Sequence, residues 1–343
     1  MVDFTPWDAT THTVVELEDD WNNLLAHGLE KTAAYIIRKN GSYYEAVKGY
    51  GATTGGNVAY GGSGDAGGTG GTVFEDVVEA AITAAAGKRV HIAAGSYALL
   101  DEIDIGQAGT WITGEGYGTQ ITQGTADKHG FKITTKTNVR ISNLLLNGTG
   151  AGTGSGIYGL TTSTGLTVDH CVITNFGYHG IHVASSNYPL LTNNYIYSNI
   201  RNGLNLDTVN YGRVLGNRVV TNTRHGAWLQ DSSYNLVSAN QIVGNDSADA
   251  ATYDGVNINH SGATSDYNQI VNNTISNNDR YEINISTASC TGNRVYPNNT
   301  YGTDRTAILA DSGTDTIMGT VIVPFSEGHT YNVQGFDIDA AGE

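Results

Sequence analysis

Cysteine is nearly missing from this chain: 343 residues contain two, Cys171 and Cys290. The repeat described below sets them five coils apart, roughly 24 Å, whereas a disulfide needs Cα atoms within about 7 Å. No bridge is expected, and cysteine says little about compartment. Proline is also scarce at 4 residues, against 45 glycines. With the wealth of Asn and Thr, that balance suits many short strands joined by tight turns. Positive charge is thin, 17 Lys and Arg against 33 Asp and Glu, giving a formal charge of −16. No basic patch of the density that nucleic acid requires can be built from it. No run is apolar and long enough to span a membrane, and the first residues lack the charged and apolar regions of a signal peptide. The expected setting is extracellular or virion-associated, reached by a signal outside this sequence or by another route such as a virion.

What is present is a repeat. Tyr178-His179-Gly180-Ile181-His182-Val183, Arg201-Asn202-Gly203-Leu204-Asn205-Leu206 and Arg224-His225-Gly226-Ala227-Trp228-Leu229 place their glycines 23 residues apart. Fainter copies follow at Tyr253-Asp254-Gly255-Val256-Asn257-Ile258 and Arg280-Tyr281-Glu282-Ile283-Asn284-Ile285. This length, with apolar–polar–apolar alternation and no helical period, predicts an all-β parallel solenoid. Stacking would put equivalent positions about 4.8 Å apart and collect His, Arg, Tyr and Trp in one patch. A second motif, Asn-x-(Val/Ile)-x-x-Asn, recurs at Asn194–Asn199, Asn217–Asn222, Asn240–Asn245, Asn273–Asn278 and Asn293–Asn298, with His170–Asn175 as an earlier copy. Asparagine tolerates left-handed backbone and bonds its like above and below, so a structural Asn column is expected at each corner. About ten extra residues lie between Asn240 and Asn273, placed by this reading in a loop at 244–251 beside the patch.

Three regions follow. Residues 1–72 stand outside the repeat, with a helix expected over Val14–Ile37 and a Gly-rich linker from Gly49 to Gly71. Residues 73–304 are the solenoid, opened by a short amphipathic helix from Phe74 to Gly87 that would cover its first coil. The ladder is expected to stop after Tyr301, leaving 305–343 as a cap or association segment.

The run from Phe74 to Ile121, with Ala94-Gly95-Ser96-Tyr97 and Gly114-Glu115-Gly116-Tyr117-Gly118-Thr119, resembles the opening of the pectate-lyase-like right-handed β-helix superfamily. That superfamily includes phage tailspikes, uronan lyases and epimerases, so the resemblance implies a single-stranded right-handed β-helix over about 74–300. Gly177-Tyr178-His179-Gly180 and Thr223-Arg224-His225-Gly226 further resemble two motifs of mannuronan C5-epimerases and related alginate lyases, Tyr-Gly-Phe-Asp-Pro-His and Asp-Arg-His-Gly-Phe. Tyr178, Arg224, His225 and Gly226 match. The Asp and His of the first motif have no unambiguous counterpart, and Ser155-Gly156-Ile157-Tyr158-Gly159 stands where that family carries Lys and Asp. The resemblance implies chemistry at C5 of a uronic acid, with the exact reaction left open.

Such chemistry needs a neutralised carboxylate, a base for the C5 proton, and an acid that serves either elimination or epimerisation. Arg224 is the candidate for the carboxylate, with Tyr178, His179, His182 and His225 as candidate acids and bases. Arg201, Asn202, Asn205, Asp207, Trp228, Asp231, Tyr253, Asp254 and Asn257 would line the substrate, Trp228 by stacking on a sugar ring. An anionic polysaccharide is the expected partner, and a homotrimer or attachment to a larger assembly is compatible with the acidic surface. A rival reading takes two of Asp207, Asp231 and Asp254 as the acid and base of a tailspike-type glycoside hydrolase. A third is a non-catalytic glycan-binding virion solenoid. No specific metal site is expected; the same acids could take Ca²⁺, and no cofactor is required.

Overall fold

A computed structural model describes residues 33–49, 58–60, 71–247, 252–295, 297–301 and 307–318. The chain is a parallel β-solenoid. One sheet of nine strands runs in chain order from Ile103–Asp104 to Ala307–Asp311, and it carries the strands that follow the repeated glycines. The other strands make a twenty-stranded sheet that closes the rest of each coil. Pairing in the nine-stranded sheet is parallel and in register: Ile157, Ile181, Leu204 and Ala227 form one inward row. All four are fully buried, as are Val183, Leu206 and Leu229 two residues on.

The glycines of the repeat are there for space, since Gly180, Gly203 and Gly226 have ordinary φ. A Cβ at Gly203 would sit 2.3 Å from Val219 Cγ1 and 2.7 Å from Asn222 Nδ2. The asparagines behind them form buried ladders. Asn199, Asn222, Asn245 and Asn278 stack, the Oδ1 of each of the last three accepting both the backbone N–H and the side-chain NH₂ of the asparagine one coil earlier. Asn194, Asn217, Asn240, Asn273 and Asn298 form a second column, and Asn235, Asn268 and Asn293 a third.

Several expectations change here. The ladder asparagines are not the left-handed residues; Asn193, Ser198, Gly216, Thr221, Ala239 and Gly244, each one position earlier, take positive φ. The His170–Asn175 copy is therefore one residue out, and Cys171 and Phe176 occupy the ladder positions, their N–H groups bonding to Asn194 and Asn199. Asn293 belongs to the third column, because Arg294–Val295 pairs with Gln269–Val271. The insertion is split: about six extra residues precede Val256, and about four more precede Gln269.

The ladder also continues past Tyr301, as Ala307–Asp311 and Ile317–Met318 add a further coil. At the other end Ala33–Asn40 is a strand, so the final turn of the helix expected over Val14–Ile37 is overturned. Ala33, Tyr35 and Ile37 are buried where this strand extends Arg89–Ile92 and turns back through Gly41 into Tyr43–Lys48. The rest of that helix, most of the Gly-rich segment and residues 319–343 lie outside the described residues. The helix Phe74–Ala85 covers the first coil as expected, with Phe74 fully buried on Tyr97 at 4.5 Å. Both cysteines are free and buried.

Asn217→Ala tests the ladders. It removes the acceptor for Asn194 and the donor to Asn240 while leaving the strands intact. Two buried groups lose partners, so denaturant unfolding should show a loss of about 3 kcal/mol.

Candidate active site

The register sorts the sequence-predicted residues into adjoining rows on one face. The row before the glycines runs His129, Ser155, His179, Asn202, His225, Asp254, as the coil-to-coil backbone bonds show. Beside it lie Tyr178, Arg201 and Arg224. Beyond the glycines the outward row is Lys132, Tyr158, His182, Asn205, Trp228, Asn257, Asn284. Tyr178, His179 and His182 thus meet, with ring centroids 4.1 Å apart for the first two and 4.9 Å for the two histidines.

One device recurs in alternate coils. His129 Nδ1 accepts the Ser155 N–H at 3.0 Å, His179 Nδ1 the Asn202 N–H at 3.2 Å, and His225 Nδ1 the Asp254 N–H at 2.9 Å. A ring nitrogen that accepts carries no proton, so the proton of the neutral ring sits on Nε2. Burial is the main cause that lowers the pKa of all three, His179 well below the usual value and His225 to about 4. Arg201 and Arg224 push His179 further down. His182 is different. Neither ring nitrogen has a partner among the described residues, and its Nε2 is buried. Burial, helped by His129, brings its pKa to about 4.

The arginines are as telling. Arg201 lies 4.2 Å over the Tyr178 ring and donates from Nη1 to its hydroxyl at 3.0 Å. Arg224 lies 5.2 Å over Tyr253. Among the described residues neither pairs with a carboxylate, although the chain carries 33 acidic residues. Two stacked guanidinium groups beside neutral imidazoles make a place for an anion.

The candidate carboxylates are largely committed elsewhere. Asp254 is fully buried and bidentate to Arg280 at 2.8 and 2.6 Å, and it accepts from Asn257 and Asn284. His225 Nδ1 lies 3.5 Å from it, yet burial, helped by Arg280 and Arg224, outweighs Asp254 and lowers its pKa to about 4. Asp231 Oδ1 takes the N–H groups of Ser261, Gly262 and Ala263; burial opposes ionisation, but these bonds hold its carboxyl below the usual range. Asp231 thereby ties down the second inserted loop. Only Asp207 remains open, its pKa raised by burial and then by Asp231, and it pairs in register with Gln230 rather than Asp231. Trp228 is half-buried, its ring stacked toward that of His225 at 5.9 Å.

His129, Tyr158, Arg280 and Asn284 belong to the patch and escaped the sequence reading. Lys128-His129-Gly130-Phe131-Lys132-Ile133 repeats the same sentence, but coils of 26 and 24 residues separate its glycine from Gly156 and Gly180 and break the 23-residue interval. His129 stacks at 4.5 Å on Tyr158, which lies 4.8 Å from His182. Lys132 is held by Glu102 at 2.7 Å.

A family model described as periplasmic copper-binding protein (NosD) matches residues 110–317. The chain belongs to this family. No curated protein matches its sequence. Among solved structures, the enzymatically active domain of bacteriophage CBA120 tailspike protein 2 overlays with TM-score 0.57 at 13% identity, covering 84% of this chain and 49% of that one. This NosD-family chain thus spans about half of that domain. The DFA-IIIase of Arthrobacter chlorophenolicus A6 overlays with TM-score 0.51 at 15% identity over 72% of each chain. The mannuronan C-5 epimerase A-module of Azotobacter vinelandii gives TM-score 0.48 at 14% identity over 76% of this chain and 96% of that one. The first two of these likenesses establish the fold.

The residues present do not suit copper. Among the described residues no three of His, Cys, Asp and Glu gather as a metal site. The soft donors Cys171 and Cys290 are buried in the core, and the Nδ1 atoms of His179 and His225 are occupied by backbone N–H groups.

The histidines make stability pH-dependent. His179, His182 and His225 have pKa values lowered in the folded protein, so between their ordinary value near 6.5 and about 4 the unfolded chain binds more protons. Their contribution is complete above pH 6.5 and is lost as pH falls through about 4. Thermal unfolding from pH 7 to pH 4 should show Tm falling across that window, with a shallower fall in His225→Asn.

Proposed function

We propose that the protein is a polysaccharide-active enzyme acting on an anionic, uronate-containing glycan of the alginate or polymannuronate type. The reading rests on one observation: two arginines stacked on tyrosines, with no carboxylate partner among the described residues, beside neutral buried imidazoles. Arg224 and Arg201 neutralise the uronate carboxylate, which makes the C5–H bond acidic enough to break. His182, the imidazole with both nitrogens free, takes that proton. Tyr178, whose oxygen accepts from Arg201, keeps its own proton directed outward as the acid. His179 and His225 hold the developing enolate oxygens as Nε2–H donors without ionising. If Tyr178 protonates O4, the glycosidic bond breaks and the enzyme is a lyase; if C5 regains a proton on its other face, it is an epimerase. The hydrolytic alternative is less well supported, because Asp231 and Asp254 are spent on a loop and on Arg280. We assign charge neutralisation to the arginines rather than to calcium, and we place the protein outside the cell or on a virion, where such a glycan is met.

Polymannuronate incubated in deuterated water tests this by ultraviolet absorbance and proton NMR. Unsaturated ends identify elimination; deuterium at C5 with guluronate signals and intact chains identifies epimerisation. No change in either sinks the proposal. His182→Gln should lower kcat by about 10²–10⁴-fold. Arg224→Lys keeps charge but not the fork, and should lose about 100-fold in kcat/KM. The acid limb of kcat/KM should fall near pH 4, where His182 becomes protonated, and not near 6.5.

A further inference from the structure

Four polar side-chain atoms of the patch are buried without a partner among the described residues: Ser155 Oγ one coil away, and, clustered together, Asn202 Oδ1, Trp228 Nε1 and His182 Nε2. The last three surround one residue. Asn205 pairs in register with His182 on one side and Trp228 on the other, and its Oδ1 accepts from Asn202 Nδ2 at 2.8 Å. Asn202 is only 1% exposed. Unpaired buried polar atoms are costly, and their clustering beside the arginines marks a place where bound ligand supplies the missing partners.

The chemistry of the orphans narrows the ligand. Asn202 Oδ1 can only accept and Trp228 Nε1 can only donate. A carboxylate would suit the indole but repel the amide oxygen, and an ammonium group would do the reverse. A hydroxyl both donates and accepts, so it complements both. We propose that Asn202 and Trp228 form a hydroxyl-reading subsite beside the arginine pair, filled by a ring hydroxyl of the bound glycan. Trp228 then contributes its N–H, not its ring face, toward which the His225 ring is already stacked. Both atoms lie under the surface of the unliganded protein, so the half-buried indole tilts to admit the hydroxyl. The subsite rests on the carbohydrate part of the function proposed above, not on its uronate chemistry.

Trp228→Phe keeps an aromatic ring and deletes the donor. Calorimetric titration of wild type and variant with mannuronate tetrasaccharide, and in parallel with neutral cellotetraose, reads the subsite directly. Affinity should fall about tenfold in the variant, while Tm stays level or rises by a few degrees because an unpaired donor has been removed. Asn202→Leu, which deletes the acceptor, should weaken binding of the same sugar. Unchanged affinity in Trp228→Phe overturns the subsite, as does a clear fall in its Tm, which would show the N–H already satisfied. Wild-type binding to the neutral sugar alone, weakened in the variants, keeps the subsite and removes the uronate reading. Binding to neither sugar overturns both.

Discussion

The bond on which the rest of the molecule depends is the one from each ladder asparagine to the backbone of the previous coil. A parallel solenoid has strand ladders to hold its coils together, but at its corners the backbone turns and N–H groups would be left buried and unpaired. Each ladder Oδ1 takes such an N–H, and the same side chain's NH₂ joins the next residue of its column. The asparagine therefore serves as backbone substitute and register pin together. The glycines follow from it. Asn222 Nδ2 lies where a Cβ on Gly203 would go, so the ladder excludes any side chain there. Where the column ends the restriction ends too: Glu282 takes the glycine position after Gly255 and accepts from Asn278 Nδ2 at 2.5 Å.

That rigidity is what makes the functional patch possible. Like residues placed one coil apart are forced to within about 5 Å, so two arginines and several imidazoles become neighbours irrespective of their mutual repulsion. Several other cations find acids: Lys128 pairs with Asp101, Lys132 with Glu102 and Arg140 with Asp169. Arg201 and Arg224 instead find tyrosine faces, which stabilise a guanidinium without neutralising it. The histidines avoid adding to the repulsion by remaining uncharged, with His129, His179 and His225 each fixed by a backbone N–H from the next coil. The register is thus spent on holding unfavourable electrostatics in place, the arrangement expected of a preorganised site.

The sequence made the architecture legible because the solenoid's rule is periodic. A fixed interval of 23 residues between Gly180, Gly203 and Gly226 is enough to predict which residues touch. It also placed Trp228 under Asn205 and His225 under Asn202, as the strands show. It failed where the period broke. His129 and Tyr158 lie in longer coils, and Asn293 fell into a neighbouring column because three ladders share one residue type. The Asp254–Arg280 pair was hidden for a different reason: two matched positions were read separately, and only burial shows that their charges cancel. At Ala33–Ile37 helical spacing in the sequence was overridden by the open strand edge at Arg89–Ile92, which needs a partner. The exposed stack of Tyr188, Tyr211, Tyr234 and Tyr267, with rings 5.2 Å apart, was also missed. All four have positive φ, which bulky residues rarely adopt, and ring stacking offsets that cost.

A chain of net charge −16 that is read as binding a polyanion poses an electrostatic question. At physiological ionic strength the Debye length is about 8 Å, so charges on the far faces of the solenoid are largely screened from the patch. Within that distance the local balance decides. Asp254 is cancelled by Arg280 and Asp231 is enclosed by three N–H groups, which leaves Arg201 and Arg224 as the charges the ligand meets. The same bonds that weigh against the two aspartates as a hydrolytic pair keep the patch positive in an acidic protein. Asp207 is the one candidate carboxyl left open, half-buried with its pKa raised by burial.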